Sequence, residues 1–172
     1  MARNAYLARK VTRAKWEAQY GVASGEIPAD AISADLRTRS NSLSFWHCGE
    51  ATPNEIEDVV LALAAMHERS DKVDVVWVAE NKLATNNLKV IESEGNTPVK
   101  SLIKRHRDAT ALDYVRLGKI AHIMADSIDN DRCRRFSRQK VIEIIRAAIN
   151  EGRINKDDLQ EKVREDLDAP QS

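Results

Sequence analysis

The run Thr52-Pro53-Asn54-Glu55 constrains this chain more than any other feature, because it has the form of a capping box. A Thr hydroxyl can accept from the amide of the third helical residue, Pro occupies the first position without needing a donor, and Glu reaches back to the cap. A helix therefore begins there, and Ile56, Val59, Val60, Leu63 and Ala64 recur at helical spacing through Met66. Before it, Leu43-Ser44-Phe45-Trp46-His47-Cys48 alternates bulky and small residues as a half-buried strand does, and Gly49 ends the run. After it, beyond Ser70-Asp71-Lys72, Val73-Asp74-Val75-Val76-Trp77-Val78 is apolar on both faces, which suits a strand covered on both sides. Leu43 to Val78 thus reads as strand, helix, strand, and a right-handed crossover would make this first pair parallel. Leu88 to Ser93 alternates well enough for a third strand, ended by Gly95-Asn96.

The remainder reads as helical. Thr97-Pro98 repeats the start signal and opens a short basic helix through Asp108, and a long helix follows from Ala111 to Ile128. Ser137 can cap a helix from Arg138 to Glu151 that Gly152 closes, and Asn155 caps a last, acidic helix to about Leu167. At the other end, Leu7, Val11, Ala14 and Ala18 make a narrow helical stripe within Met1 to Tyr20, followed by a Gly- and Pro-punctuated connector. The expected fold is a helix-rich α/β domain with a small two- or three-stranded, mainly parallel sheet, a β-α-β core, and a helical C-terminal half. Residues 1–41 would be an N-terminal helical arm and connector, 42–128 the core, and 129–172 a helical hairpin packed on it.

Charge and cysteine content narrow the functional classes. Lys plus Arg number 27 and Asp plus Glu number 27, so no global field steers the molecule to a polyanion, and nucleic-acid binding would need a local patch. Cys48 and Cys133 are far apart and in no metal-ligand spacing, which points to reduced thiols, a cytoplasmic setting and no metal. No cofactor is called for, since a glycine-rich phosphate loop is missing from the sequence. No stretch has the length of a membrane span, so no membrane partner is expected.

Three functional readings follow. The first is a non-catalytic protein–protein interaction module acting in a complex or homo-oligomer, with Leu7, Val11 and Trp16 of the N-terminal helix as the partner-binding residues. The second is a nucleic-acid-associated protein using the basic stretches 100–107 and 132–140. There Lys100, Lys104, Arg105, Arg107, Arg132, Arg134, Arg135, Arg138 and Lys140 would meet phosphates, with Phe136 available to stack. The plain alternative for these cations is a solvated surface paired with the acidic tail. The third is a small hydrolase or transferase working at the strand ends near His47, Cys48 and Glu80, where open parallel sheets place their ligands. Adjacent strand residues point to opposite faces, so His47 and Cys48 would not meet directly, and a buried Cys acting as a small apolar residue is the simpler account. His67, His106 and His122 are read as core or surface histidines.

Overall fold

A computed structural model of the chain describes residues 5–17, 21–23 and 25–169. The capping box forms as read: Thr52 Oγ1 accepts from Glu55 N at 3.4 Å, Glu55 Oε2 accepts from Thr52 N at 2.9 Å, and helix α2 (Pro53–Ala64) runs from it. On either side lie strands β2 (Leu43–His47) and β3 (Val73–Ala79). The two run in the same direction, yet they are not neighbours. Between them, antiparallel to both, lies β1 (Tyr6–Val11), built from the segment expected to be the N-terminal helix.

Strands β4 (Lys89–Glu92), β5 (His106–Thr110) and β6 (Cys133–Phe136) complete a six-stranded sheet of order β4-β5-β2-β1-β3-β6. Every paired neighbour is antiparallel. This overturns the small, mainly parallel sheet. The crossover through α2 steps over a strand already in place, and two charged segments, read as the end of a basic helix and as a surface block, are strands β5 and β6.

The other α-helices among the described residues are α1 (Ala29–Asp35), α3 (Glu80–Thr85), α4 (Tyr114–Asp129), α5 (Arg138–Asn150) and α6 (Glu161–Asp168). Alternation along the strands sends side chains to two cores. On one face Ala8, Trp46, Val75 and Phe136 meet α2, α5 and α6 through Val60, Ile145 and Val163. On the other, Leu7, Val11, Phe45 and Val76 meet Leu83 of α3 and Ile120 and Met124 of α4. Each Val, Leu, Ile, Phe or Met among them stabilises the fold by about 1.5–3 kcal/mol when fully buried.

Leu7, Val11 and Trp16 are therefore core residues rather than a docking surface, 0 %, 2 % and 9 % exposed. The i, i+4 spacing of Leu7 and Val11 suits a helix, but it also puts both on one face of a strand. Trp16, beyond the strand, donates Nε1 to Asp35 Oδ2 at 2.8 Å. The same buried carboxylate accepts from Thr12 N at 2.7 Å and Thr12 Oγ1 at 3.0 Å, which ties the end of α1 to the chain leaving β1. Asp74 performs the corresponding task on β3. It accepts from Arg135 Nε at 2.7 Å and Nη2 at 3.0 Å, and from Arg13 N at 3.2 Å.

Candidate functional site

The sheet is not continuous at its centre. β1 pairs with β3 along its whole length, from Tyr6–Ala79 to Val11–Asp74, but with β2 only at Leu7–His47 and Ala8–Trp46. β2 meanwhile keeps its pairing to β5 from Leu43 to Trp46. Past Ala8 the two central strands diverge, and Arg9 holds them apart. Its Nη1 donates to Ser44 O at 2.6 Å, while Nε and Nη2 donate to Asp35 O at 3.0 and 2.6 Å. Its guanidinium carbon lies 5.9 Å from the centroid of the Phe45 ring. Burial lowers the Arg9 pKa to about 10 against the attraction of Asp35, so the group stays charged at neutral pH.

This wedge opens into a cleft of about 540 Å³. Leu63 and Met66 from α2 and its end, with Trp46, supply apolar lining; Lys10, Ser44, Asn96 and His106 supply polar groups. Gly95 lets the loop over Trp46 approach, because a Cβ there would overlap Cη2 of Trp46 and lie 2.9 Å from Cζ3. His106 stands edge-on to Trp46 with ring centroids 5.1 Å apart. Its Nδ1 is 2.7 Å from Ser93 Oγ and 3.9 Å from Asp108 Oδ2, and Ser44 Oγ donates to Asp108 Oδ1 at 3.0 Å. Among the described residues Nε2 of His106 has no hydrogen-bond partner. Burial depresses the His106 pKa, which keeps the ring neutral near pH 7.

Lys10 stands at the mouth. Its Nζ is 3.1 Å from Nε2 of His67. An ammonium has no lone pair, so Lys10 donates, and His67 carries its own proton on Nδ1. Burial first, and then Lys10, lowers the His67 pKa, with Asp71 opposing. Lys10 has no carboxylate within ion-pair distance among the described residues. The cleft is thus lined by two cations, Arg9 and Lys10, against the single carboxylate of Asp35, which already has three donors.

The basic stretches expected to meet nucleic acid are not brought to one face. Arg105 and Arg107 lie at or beside β5, while Arg132, Arg134 and Arg135 lie at or beside β6, with β2, β1 and β3 between. Most of these cations are also paired. Arg105 bonds Asp58 at 3.1 Å, Arg107 bonds Glu92 at 3.0 Å, Arg135 bonds Asp74, Arg138 bonds Asp166 at 2.5 Å, and Lys140 bonds Glu57 at 3.0 Å. Arg134 lies over Phe136, 4.9 Å from the ring centroid, and that ring is buried, so it offers no free stacking face. Lys100 and Lys104 stay exposed in the turn before β5, and Arg132 precedes β6.

The strand-end residues fare no better as a reactive centre. Cys48 is 0 % exposed, its Sγ donates to Tyr6 O at 3.4 Å, and burial pushes the thiol up to about 12. A thiolate nucleophile is not available at neutral pH from such a group. His47 falls on the opposite face from Cys48, and Glu80 opens α3 beyond β3, with β1 separating it from β2. No group of three or more His, Cys, Asp or Glu suited to a metal occurs among the described residues. No helix among them is long and apolar enough to cross a membrane.

Sequence reasoning missed Lys10, Asn96 and His106 as neighbours. The only signal was the alternation of Tyr6 to Val11, which a helical reading absorbs. The large apolar side chains left outermost are Tyr114, 91 % exposed, and Val115, 65 % exposed, at the start of α4. No family model, curated protein or solved structure matches the chain.

Proposed function

We propose that the protein is a binding domain whose ligand seats an anionic group in the cleft between β1 and β2. The observation that carries this reading is Lys10, an ammonium at the cleft wall whose partner is a neutral imidazole. Lys10 is exposed at the cleft mouth, where a cation without a counter-ion takes an anion without first breaking an ion pair. His67 and His106 add to the site because either ring can take up a proton and donate once an anion is bound. The test is thermal unfolding in added inorganic phosphate, and in added succinate, at constant ionic strength, for the wild type and for Lys10→Met. The expected result is a concentration-dependent rise in Tm for the wild type that Lys10→Met abolishes. Equal shifts in both proteins, or none in either, would remove the reading.

A second reading, an interaction module in a complex or homo-oligomer, is supported by the exposed pair Tyr114 and Val115. Apolar side chains this open are common at interfaces. Light scattering on the wild type and on Tyr114→Ser/Val115→Ser checks it. An assembly that dissociates in the double variant supports the module, and a wild-type monomer counts against self-association.

A further inference from the structure

The cleft does not stop at Lys10. A second cleft of about 500 Å³ shares Lys10 and Met66 with the first, and a third of about 460 Å³ shares Arg69, Asp71 and Lys162 with the second. Together they form one trough along the end of the sheet. Its cations come from segments far apart in sequence: Lys10 from β1, Arg69 and Lys72 from the α2–β3 connection, Lys162 from α6. None of the four has a carboxylate within ion-pair distance among the described residues. The trough's acids are partly engaged: Asp71 accepts from Lys72 N at 2.8 Å, and Asp166 accepts from Ser70 N at 3.1 Å and from Arg138. Those hydrogen bonds leave the charge of Asp71 in place, so Glu68, Asp71 and Glu165 stand unpaired against the four cations, and the positive excess lies in the second cleft, where the four face only Glu68 and Asp71.

The two ends differ in chemistry. The first cleft combines the apolar Leu63, Met66 and Trp46 with donors and acceptors at Ser44, Asn96 and His106, while the second and third are charged. A flat, hydrogen-bonding, partly apolar group fits the first, and repeated anions fit the second; in the third, Arg69, Arg138 and Lys162 are balanced by Asp71, Glu165 and Asp166. Resting on the anion-binding reading above, we infer that the ligand is a single-stranded nucleotide chain. A base lies in the first cleft, and the backbone phosphates follow Lys10, Arg69, Lys72 and Lys162. A strand bound this way neutralises phosphates with lysine and arginine and releases counterions, and it needs no net positive charge on the whole protein.

The experiment is fluorescence anisotropy with a labelled oligothymidylate of about 16 nucleotides, run between about 50 and 200 mM salt. Binding should weaken with salt at a slope of about −2 to −3, from about −0.7 per phosphate neutralised. Lys10→Glu/Lys162→Glu should lower affinity about tenfold or more, whereas Lys100→Glu/Lys104→Glu, outside the trough, should leave it unchanged. Lys10, Lys162, Lys100 and Lys104 are all exposed, so each variant should fold, and circular dichroism verifies it. No oligonucleotide binding while phosphate still raises Tm overturns the chain and leaves the anion site standing; failure of both removes both. Thymidine monophosphate competing as well per molecule as the oligomer also overturns the chain, in favour of a single nucleotide. Polyglutamate bound as tightly overturns it in favour of an acidic protein segment.

Discussion

Asp35 is a single side chain that holds several elements at once, and its burial makes it sensitive to substitution. Its carboxylate accepts from Thr12 N, Thr12 Oγ1 and Trp16 Nε1, while its own carbonyl takes two nitrogens of Arg9. Removing the carboxylate strands three donors, each costing about 1–3 kcal/mol where water cannot reach. Asp35→Ala should lose about 3 kcal/mol or more, read as a lower urea midpoint with a changed Trp16 emission. A loss well under 1 kcal/mol would mean water replaces the carboxylate. His67 offers a pH test at the same scale. Its folded pKa lies below the unfolded value of about 6.5, so the neutral ring is favoured by folding. The resulting stability is complete above that pH and is lost as pH falls towards the folded pKa. Tm should therefore decline from about pH 6.5 downward, and His67→Gln should flatten part of that decline while His106 retains the rest. An unchanged profile in His67→Gln would contradict the assignment of a neutral ring.

Among the elements, β1 decides the architecture and was the least legible. It is bonded on both sides at the centre of the sheet, so truncating Leu7, 0 % exposed, opens a cavity. Leu7→Ala should cost about 2–5 kcal/mol, measured by denaturant unfolding; a value near zero would mean that β1 is peripheral. Removing residues 1–11 should accordingly abolish the cooperative transition, not merely change an assembly. The elements that could be read directly were those with local start and stop signals. The Thr52 box, the apolar run of Val73 to Val78, the alternation of Leu43 to His47 and the Ser137 cap all recur in the structure, close to the bounds their residues imply. β5 and β6 were hidden because charge masks their alternation. In His106-Arg107-Asp108-Ala109-Thr110 one residue is fully buried, and in Cys133-Arg134-Arg135-Phe136 it is Phe136 alone. Arg107 and Arg135 are strand residues because Glu92 and Asp74 lie beside them, and those partners come from other strands. The candidate cleft was illegible for the same reason. Lys10, Ser44 and His106 meet only because β1 enters the sheet between β2 and β3, and no local signal encodes that step.

At the scale of the whole molecule, sequence order and spatial order are deeply interleaved. β1, first in sequence, lies between β2 and β3, and β6 lies beside β3 although β4, β5 and α4 come between them in sequence. The core shared by α2, α5 and α6 draws on both ends of the chain: Ala8 and Trp46 lie in one cluster with Phe136, Ile145 and Val163. Ion pairs cross the same boundary, from Asp58 on α2 to Arg153 and from Glu57 to Lys140, although partly exposed pairs of this kind add only about 0–1 kcal/mol each. The apolar contacts therefore dominate the join. A fragment ending at Asn130 would leave Val60 and Val75 facing water, together with the free edge of β3. Such a fragment should show no cooperative thermal transition by circular dichroism and should associate through that edge, whereas residues 1–172 should unfold in one step. A fragment melting cooperatively would mean that residues 129–172 form an appendage after all, and that the first hundred and thirty or so close a core unaided, as domains of about 100–150 residues commonly do.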